Sequence, residues 1–340
     1  MTDKLYERDA YQQVFTATVL SCTATPQGYA VVLDRTAFFP EGGGQPYDTG
    51  RLGDARVLAV HTDGETITHT TDVPLLVGAA VEGRLDWSRR LDAMQQHTGE
   101  HILSGTLHRL YGAENVGFHI GDPYVRMDTS IPLTAQQLAD AEAEPNAAVR
   151  ADTPVRCYIP DAATLAVTEY RSKKELEGPV RLVEAGGDRC ACCGTHLART
   201  GEVGLIKIVS FQHYKGGMRL LVACGQRAYR AVAEGWTDAE AAGRLLSAPV
   251  GSLTAAVTRL QSGEAQLKQR LARPMGRRQH RVSPAPSGQR VPTATACGAL
   301  PWLWQPKPVP PAARWRRADK VWPMHWRQRR TAMCAPPVRP

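Results

Sequence analysis

DWSRRLDAMQQHTGEHILSGTLHRLYG, residues 86–112, is the stretch on which the reading of this chain turns. Asp86 and Ser88 can each cap the orphan amides at the start of a helix, and Gly112 suits a left-handed stop. Leu91, Met94, Leu103, Leu107 and Leu110 supply its apolar positions, so one long helix is expected. It carries His97-Thr98-Gly99-Glu100-His101. Histidines four apart sit roughly 40° apart around a helix axis, so both imidazoles can converge on one ion.

A second pair, Cys192-x-x-x-His196, follows in Cys190-Ala191-Cys192-Cys193-Gly194-Thr195-His196. Three imidazoles and a thiolate suit zinc, which accepts both donors in a tetrahedron, and disfavour magnesium and calcium. Spacing alone leaves Cys190 and Cys193 open as the thiolate, with packing as their other role. His119, in Val116-Gly117-Phe118-His119-Ile120-Gly121, lies between the two pairs and can line the site, whereas His61, His69, His108 and His213 read as ordinary surface or core residues. The first pair also fits His-x-x-Glu-His, the inverted zinc-peptidase motif with Glu100 as general base. Such enzymes keep three protein ligands and leave a place for water, which fits poorly with a completing Cys-x-x-x-His. A non-catalytic, zinc-stabilised RNA-binding module is the third reading.

The net charge of +8 over 340 residues suggests a nucleic-acid binder, but the charge is unevenly placed. Residues 274–340 hold 13 Lys+Arg and one acid, Asp319, so residues 1–273 hold 28 Lys+Arg against 32 Asp+Glu and are mildly acidic. The last segment also has 13 of the 24 prolines and five of the seven tryptophans, and no periodicity. It reads as an out-of-frame translation of GC-rich coding sequence, or else as a native basic tail whose tryptophans could stack on bases. The body has ordinary apolar content for a globular protein. It shows no run of about 18 apolar residues, and its charged start is unlike a signal sequence. A cytoplasmic location with reduced thiols is expected, and no membrane partner.

Upstream of the helix, Thr16 to Cys22, Tyr29 to Leu33, Ala55 to His61, Glu65 to Thr70 and Ala80 to Leu85 alternate as short strands, predicting a small β-barrel or sandwich over residues 1–87. Between them runs Phe38-Phe39-Pro40-Glu41-Gly42-Gly43-Gly44-Gln45-Pro46-Tyr47-Asp48, whose three glycines permit close backbone approach but lack the ending of a phosphate-cradling loop. Residues 88–235 mix further strands (Tyr124 to Asp128, Val155 to Ile159, Val203 to Phe211, Gly217 to Cys224) with a helix from Thr134 to Ala148, without βαβ alternation, so the class is α+β. Residues 236–273 are assigned to an amphipathic helix from 238, striped by Leu246, Val250, Leu253, Val257, Leu260, Leu267 and Leu271, which suits a homodimer or packing on its own domain.

Taken in order, Arg35 to Gly50, Gln95 to Ser104, Val116 to His119 and Cys192 to Gly204 resemble the free-standing editing proteins related to the editing domain of alanyl-tRNA synthetase. The resemblance covers residues 10 to about 235 and implies a zinc-containing editing domain with one zinc per chain, held by His97, His101, Cys192 and His196. It implies hydrolysis of tRNA-Ala mischarged with serine, or in some members glycine, a second sieve for products that size alone rejects poorly. A complete synthetase is not expected, since fewer than a hundred residues precede His97. Gly117 and His119 fall where the family distinguishes serine from alanine, and Glu100 is a candidate base. Gly42, Gly43 and Gly44 border the cleft in the family. Lys173, Lys174, Arg181 and Arg219 are assigned to tRNA phosphates. Nothing after Arg273 resembles the Gly-rich C-terminal domain of long members.

Overall fold

The computed structural model describes residues 2–172 and 180–272. Lys173, Lys174 and the whole 274–340 segment lie outside the described residues. Strands β1 (Val14–Thr25), β2 (Gly28–Leu33), β3 (Gly50–Leu52), β4 (Ala55–Asp63), β5 (Thr66–Thr71) and β6 (Ala80–Leu85) pair antiparallel in the order β1, β2, β5, β4, β3, β6, and β6 returns to β1. A closed barrel results, with no free edge. Its strands close on a core because alternate side chains face inward and most of these are apolar, as in β6, where Val81 and Leu85 do so. Gly83, also inward, stands against the Phe15 ring, and a Cβ there would come within 2.3 Å of it.

His69 of β5 is 0% exposed in this core. Its Nε2 meets Thr36 Oγ1 at 2.9 Å and its Nδ1 meets the Val31 carbonyl at 3.2 Å. Burial pushes its pKa from 6.5 down to about 4. The unfolded chain therefore takes up this proton first, and the stability contributed by the neutral ring is complete above pH 6.5 and lost as pH falls toward 4. Between pH 7.5 and pH 5 the wild type should lose about 2 kcal/mol more than His69→Gln in urea unfolding. Equal losses in the two proteins would remove this account.

Helix α1 (Trp87–Tyr111) leaves the barrel from Asp86, whose side chain accepts from the Arg89 amide, and stops at Gly112 with φ 65°. From Ala93 to Leu107 it runs almost entirely buried. One partner is an antiparallel sheet of β7 (Asn115–Ile120), β8 (Val125–Thr129), β12 (Ile206–Tyr214) and β13 (Gly217–Cys224), in the order β12, β13, β8, β7. Others include helix α2 (Ala135–Ala151), capped at its start by a Thr134/Gln137 capping box, and a three-stranded sheet of β9 (Arg156–Tyr158), β10 (Leu182–Ala185) and β11 (Asp188–Ala191). Met94, Leu103 and Leu107 of α1 join Met127, Leu220 and Val222 of the four-stranded sheet in one core.

The expected single helix over 238–273 is two helices. Helix α3 (Gly225–Leu246) starts well before that range, so the 235/236 boundary falls inside it, and α4 (Leu253–Ala272) follows a break. Ser247 takes φ 50° and Pro249 comes next but one, where it can neither donate an amide nor leave its predecessor helical. Leu246 and Val250 flank this break, so the seven-residue stripe is not one continuous face. No helix among the described residues is long and apolar enough to cross a membrane.

Candidate metal centre

His97 and His101 sit one turn apart on α1, and the turn after β11 brings Cys192 and His196 to them. One donor atom from each of the four lies within 4.8 Å of the other three, and all three histidines are buried. Cys192 Sγ is 3.4 Å from His97 Nε2. A tetrahedral zinc about 2.0–2.3 Å from each donor spaces the donors roughly 3.3–3.8 Å apart, a spacing the Cys192–His97 pair already has, and the donor set of three imidazoles and a thiol is one zinc accepts. His196 Nε2 and His101 Nδ1 are buried without a hydrogen-bond partner, a costly state that ligation or a further partner relieves.

The tautomer of His97 can be read from its neighbours. Gln45 Oε1 accepts from the Thr195 backbone amide at 3.1 Å, a donor that cannot be reversed, and Gln45 Nε2 donates to Thr195 Oγ1 at 2.8 Å. The amide orientation is thereby fixed, and the 2.8 Å contact between Gln45 Oε1 and His97 Nδ1 requires Nδ1 to carry the proton. In the neutral ring the lone pair then lies on Nε2, the nitrogen 3.4 Å from Cys192 Sγ. Gly194 makes this packing possible, since a Cβ there would lie 2.2 Å from His97 Cε1. Thr98 Oγ1 accepts from the Leu197 amide at 3.1 Å and lies 3.4 Å from His196 Nδ1, joining the helix to the segment that carries Cys192 and His196.

Burial pushes the Cys192 thiol up, but the imidazoles of His97, His101 and His196 outweigh it and hold the group well below its usual range, as a thiolate. Burial, then the proximity of His97, pushes His196 down to about 3, so its ring is neutral. A lowered thiol and a lowered imidazole both move toward the deprotonated forms that ligate a metal. Burial pushes His101 down, but the Asp188 carboxylate more than reverses this and holds it well above its ordinary value.

The other expected site residues are distributed as follows. Glu100 is buried on α1, where the Asn115 side-chain amide donates to it. Gly117 donates its amide to Asn115 Oδ1 at 3.1 Å. His119 is exposed on β7. Phe118, between them, stacks on His97 with ring centroids 5.1 Å apart and planes at 27°. Gly42 and Gln45 exchange backbone hydrogen bonds in a tight turn, with Gly43 and Gly44 at φ 59° and 84°. Gly44 lies against Phe118, where a Cβ would come within 2.6 Å of the ring. Arg181 Nη1 donates to the carbonyls of Cys192 and Gly194, both at 2.9 Å, so it braces the turn between Cys192 and His196. Arg219 makes two 2.7 Å bonds to Asp128 and stacks 3.6 Å over the Tyr214 ring. Gln45 and Phe118 escaped selection because only the alternation of β7 and the return of the Gly-rich turn to α1 place them at the site.

Comparisons with known proteins converge on one family. The second additional domain of threonyl and alanyl tRNA synthetases matches residues 180–221, which include Cys192 and His196, and class II (A) tRNA synthetases match residues 10–89. The alanyl-tRNA editing protein Aarsd1 of Mus musculus is 32% identical over 277 residues, covering 76% of this chain and 67% of the mouse protein. The chain belongs to the alanyl-tRNA editing family. Aarsd1 of Rattus norvegicus is similar to the same extent, and the alanine–tRNA ligase of Pyrobaculum neutrophilum is 35% identical over 279 residues, 76% of this chain but 31% of the ligase. The chain thus spans about two thirds of the editing protein and under a third of the ligase.

Proposed function

We propose that this protein hydrolyses the ester of tRNA-Ala mischarged with serine, and of the glycyl ester as a second substrate, acting in trans with one zinc ion held by His97, His101, Cys192 and His196. The observation that carries the reading is the four-donor cluster, assembled from two distant segments of a chain in the alanyl-tRNA editing family. An aminoacyl ester is already activated, so the site needs to place it and stabilise a developing oxyanion rather than supply a strong nucleophile. Zinc, when bound, supplies a Lewis acid for positioning or polarising the substrate, or for acidifying water.

The chain's own groups do the rest. Gln45 holds His97 in one tautomer, and Phe118 covers one face of its ring. Gly42 to Gly44 offer exposed or half-exposed backbone beside Phe118 for the tRNA end, with Arg181 and Arg219 as phosphate contacts in this reading. Gly117 and His119 are proposed to border the amino-acid pocket. Glu100, bonded by Asn115, is proposed to hold β7 on α1 rather than act as a base. A second copy of the chain is the proposed partner of the exposed Leu260, Leu267 and Leu271 on α4. The peptidase reading gains nothing from a cluster that includes a thiolate.

Purified protein loaded with zinc should release serine from Ser-tRNA-Ala, spare Ala-tRNA-Ala, and stop after chelation. Absence of serine release from the loaded protein would sink the proposal.

A further inference from the structure

We infer that Asp188, fixed by Arg171, is the positioning residue that orients His101 in the ligand set, an inference that rests on the zinc reading above. His101 is 4% exposed and its Nδ1 has no hydrogen-bond partner. Asp188 Oδ2 faces that nitrogen at 3.8 Å. The carboxylate is held in place, because Arg171 donates from Nε to Oδ1 and from Nη2 to Oδ2, both at 2.7 Å. Arg171 Nη2 also donates to Ser104 Oγ at 2.9 Å, and Ser104 Oγ donates to the His101 carbonyl at 3.3 Å. The orienting group is therefore tied to the same helical turn that carries the imidazole.

Gly105 completes the device. A Cβ at that position would lie 2.4 Å from Asp188 Cβ, so any side chain there would drive the aspartate off the helix. Asp188 opens β11 four residues before Cys192, so one segment delivers both the orienting carboxylate and the thiolate ligand. His101, Asp188 and Cys190 also form a three-donor group within 4.8 Å. Both Asp188 oxygens are already engaged by a guanidinium, which suits Asp188 to accept an N–H and not to bind a second ion. A neutral imidazole has one lone pair, so Nδ1–H directed at Asp188 commits Nε2 to the metal, the carboxylate–histidine–metal arrangement.

The test compares wild type, Asp188→Ala and Asp188→Asn as full-length chains. Zinc affinity is measured by chelator competition, the visible spectrum is recorded after cobalt substitution, and unfolding is measured without metal. Asp188→Ala should bind zinc ten- to a hundredfold more weakly and alter the cobalt bands, with Asp188→Asn, which keeps an acceptor oxygen, falling between it and wild type. Asp188→Asn decides the matter if the alanine variant fails to fold. A role confined to the Asp188–Arg171 ion pair would lower metal-free stability and leave affinity and spectrum unchanged, and that result overturns the inference. Failure of the zinc reading itself would be separately visible, as wild-type protein that takes up no zinc.

Discussion

Cys192→Ala and His196→Ala should each slow serine release from Ser-tRNA-Ala by at least about a hundredfold and lower bound zinc well below one per chain, since even partners behind the ligands cost ten- to a hundredfold. The size of the effect follows from what each side chain contributes. Cys192 is the one thiolate among three imidazoles, and three buried rings surround it. Without it the anionic donor is gone and the cluster must hold a dication with neutral rings alone. His196 has a buried Nε2 with no hydrogen-bond partner, so its loss removes one of the four donors outright. Cys193→Ala is the control, because Cys193 is exposed and outside the donor group. It should retain zinc and activity. Metal content and single-turnover deacylation, measured on the same preparations, check the prediction. Full activity in a zinc-free Cys192→Ala protein would assign the chemistry elsewhere.

What could be read in the sequence was local. Helix α1 was legible because its caps, Asp86 and Gly112, and its apolar positions are all within one segment, and a His/His and a Cys/His pair at spacing four stand out in any fold. The barrel strands were legible for the same reason, through alternation. Gln45 was not, since its value depends on a backbone amide 150 residues away. Phe118 was passed over for His119, although alternation allows only one of two neighbouring strand residues to face α1, and it is Phe118 that reaches His97. The helix over 238–273 was misread because leucine spacing continued across Pro249, and the backbone limit imposed by the proline outweighs the pattern. The intramolecular partners of Arg219 and Arg181, both assigned to tRNA phosphates, were hidden in the same way, since only folding gives the first a carboxylate and the second two carbonyls.

A residue that joins barrel to site was also invisible, and it sets the second large effect. Arg90 of α1 is 0% exposed and Asp48, just past the Gly-rich turn, is 1% exposed. The guanidinium binds both Asp48 oxygens and donates to the carbonyls of Ala10 at 2.7 Å and Ala37 at 2.6 Å. Asp48 in turn accepts from the Phe39 amide at 2.6 Å. Arg90→Met leaves a buried carboxylate without its counter-ion and two carbonyls without a donor, and should destabilise the protein by about 3–5 kcal/mol. Adding Asp48→Asn removes the stranded charge, so the double variant should be more stable than Arg90→Met alone, a sign that separates an ion-pair effect from lost packing. Urea unfolding of the four proteins closes the cycle, and strictly additive losses would show that the pair acts only by filling space. The damage should also reach the metal. Asp48 lies three residues after Gln45, so loosening it releases the turn that fixes the His97 tautomer, and a folded Arg90→Met protein should hold zinc less tightly although Arg90 bonds to none of His97, His101, Cys192 and His196.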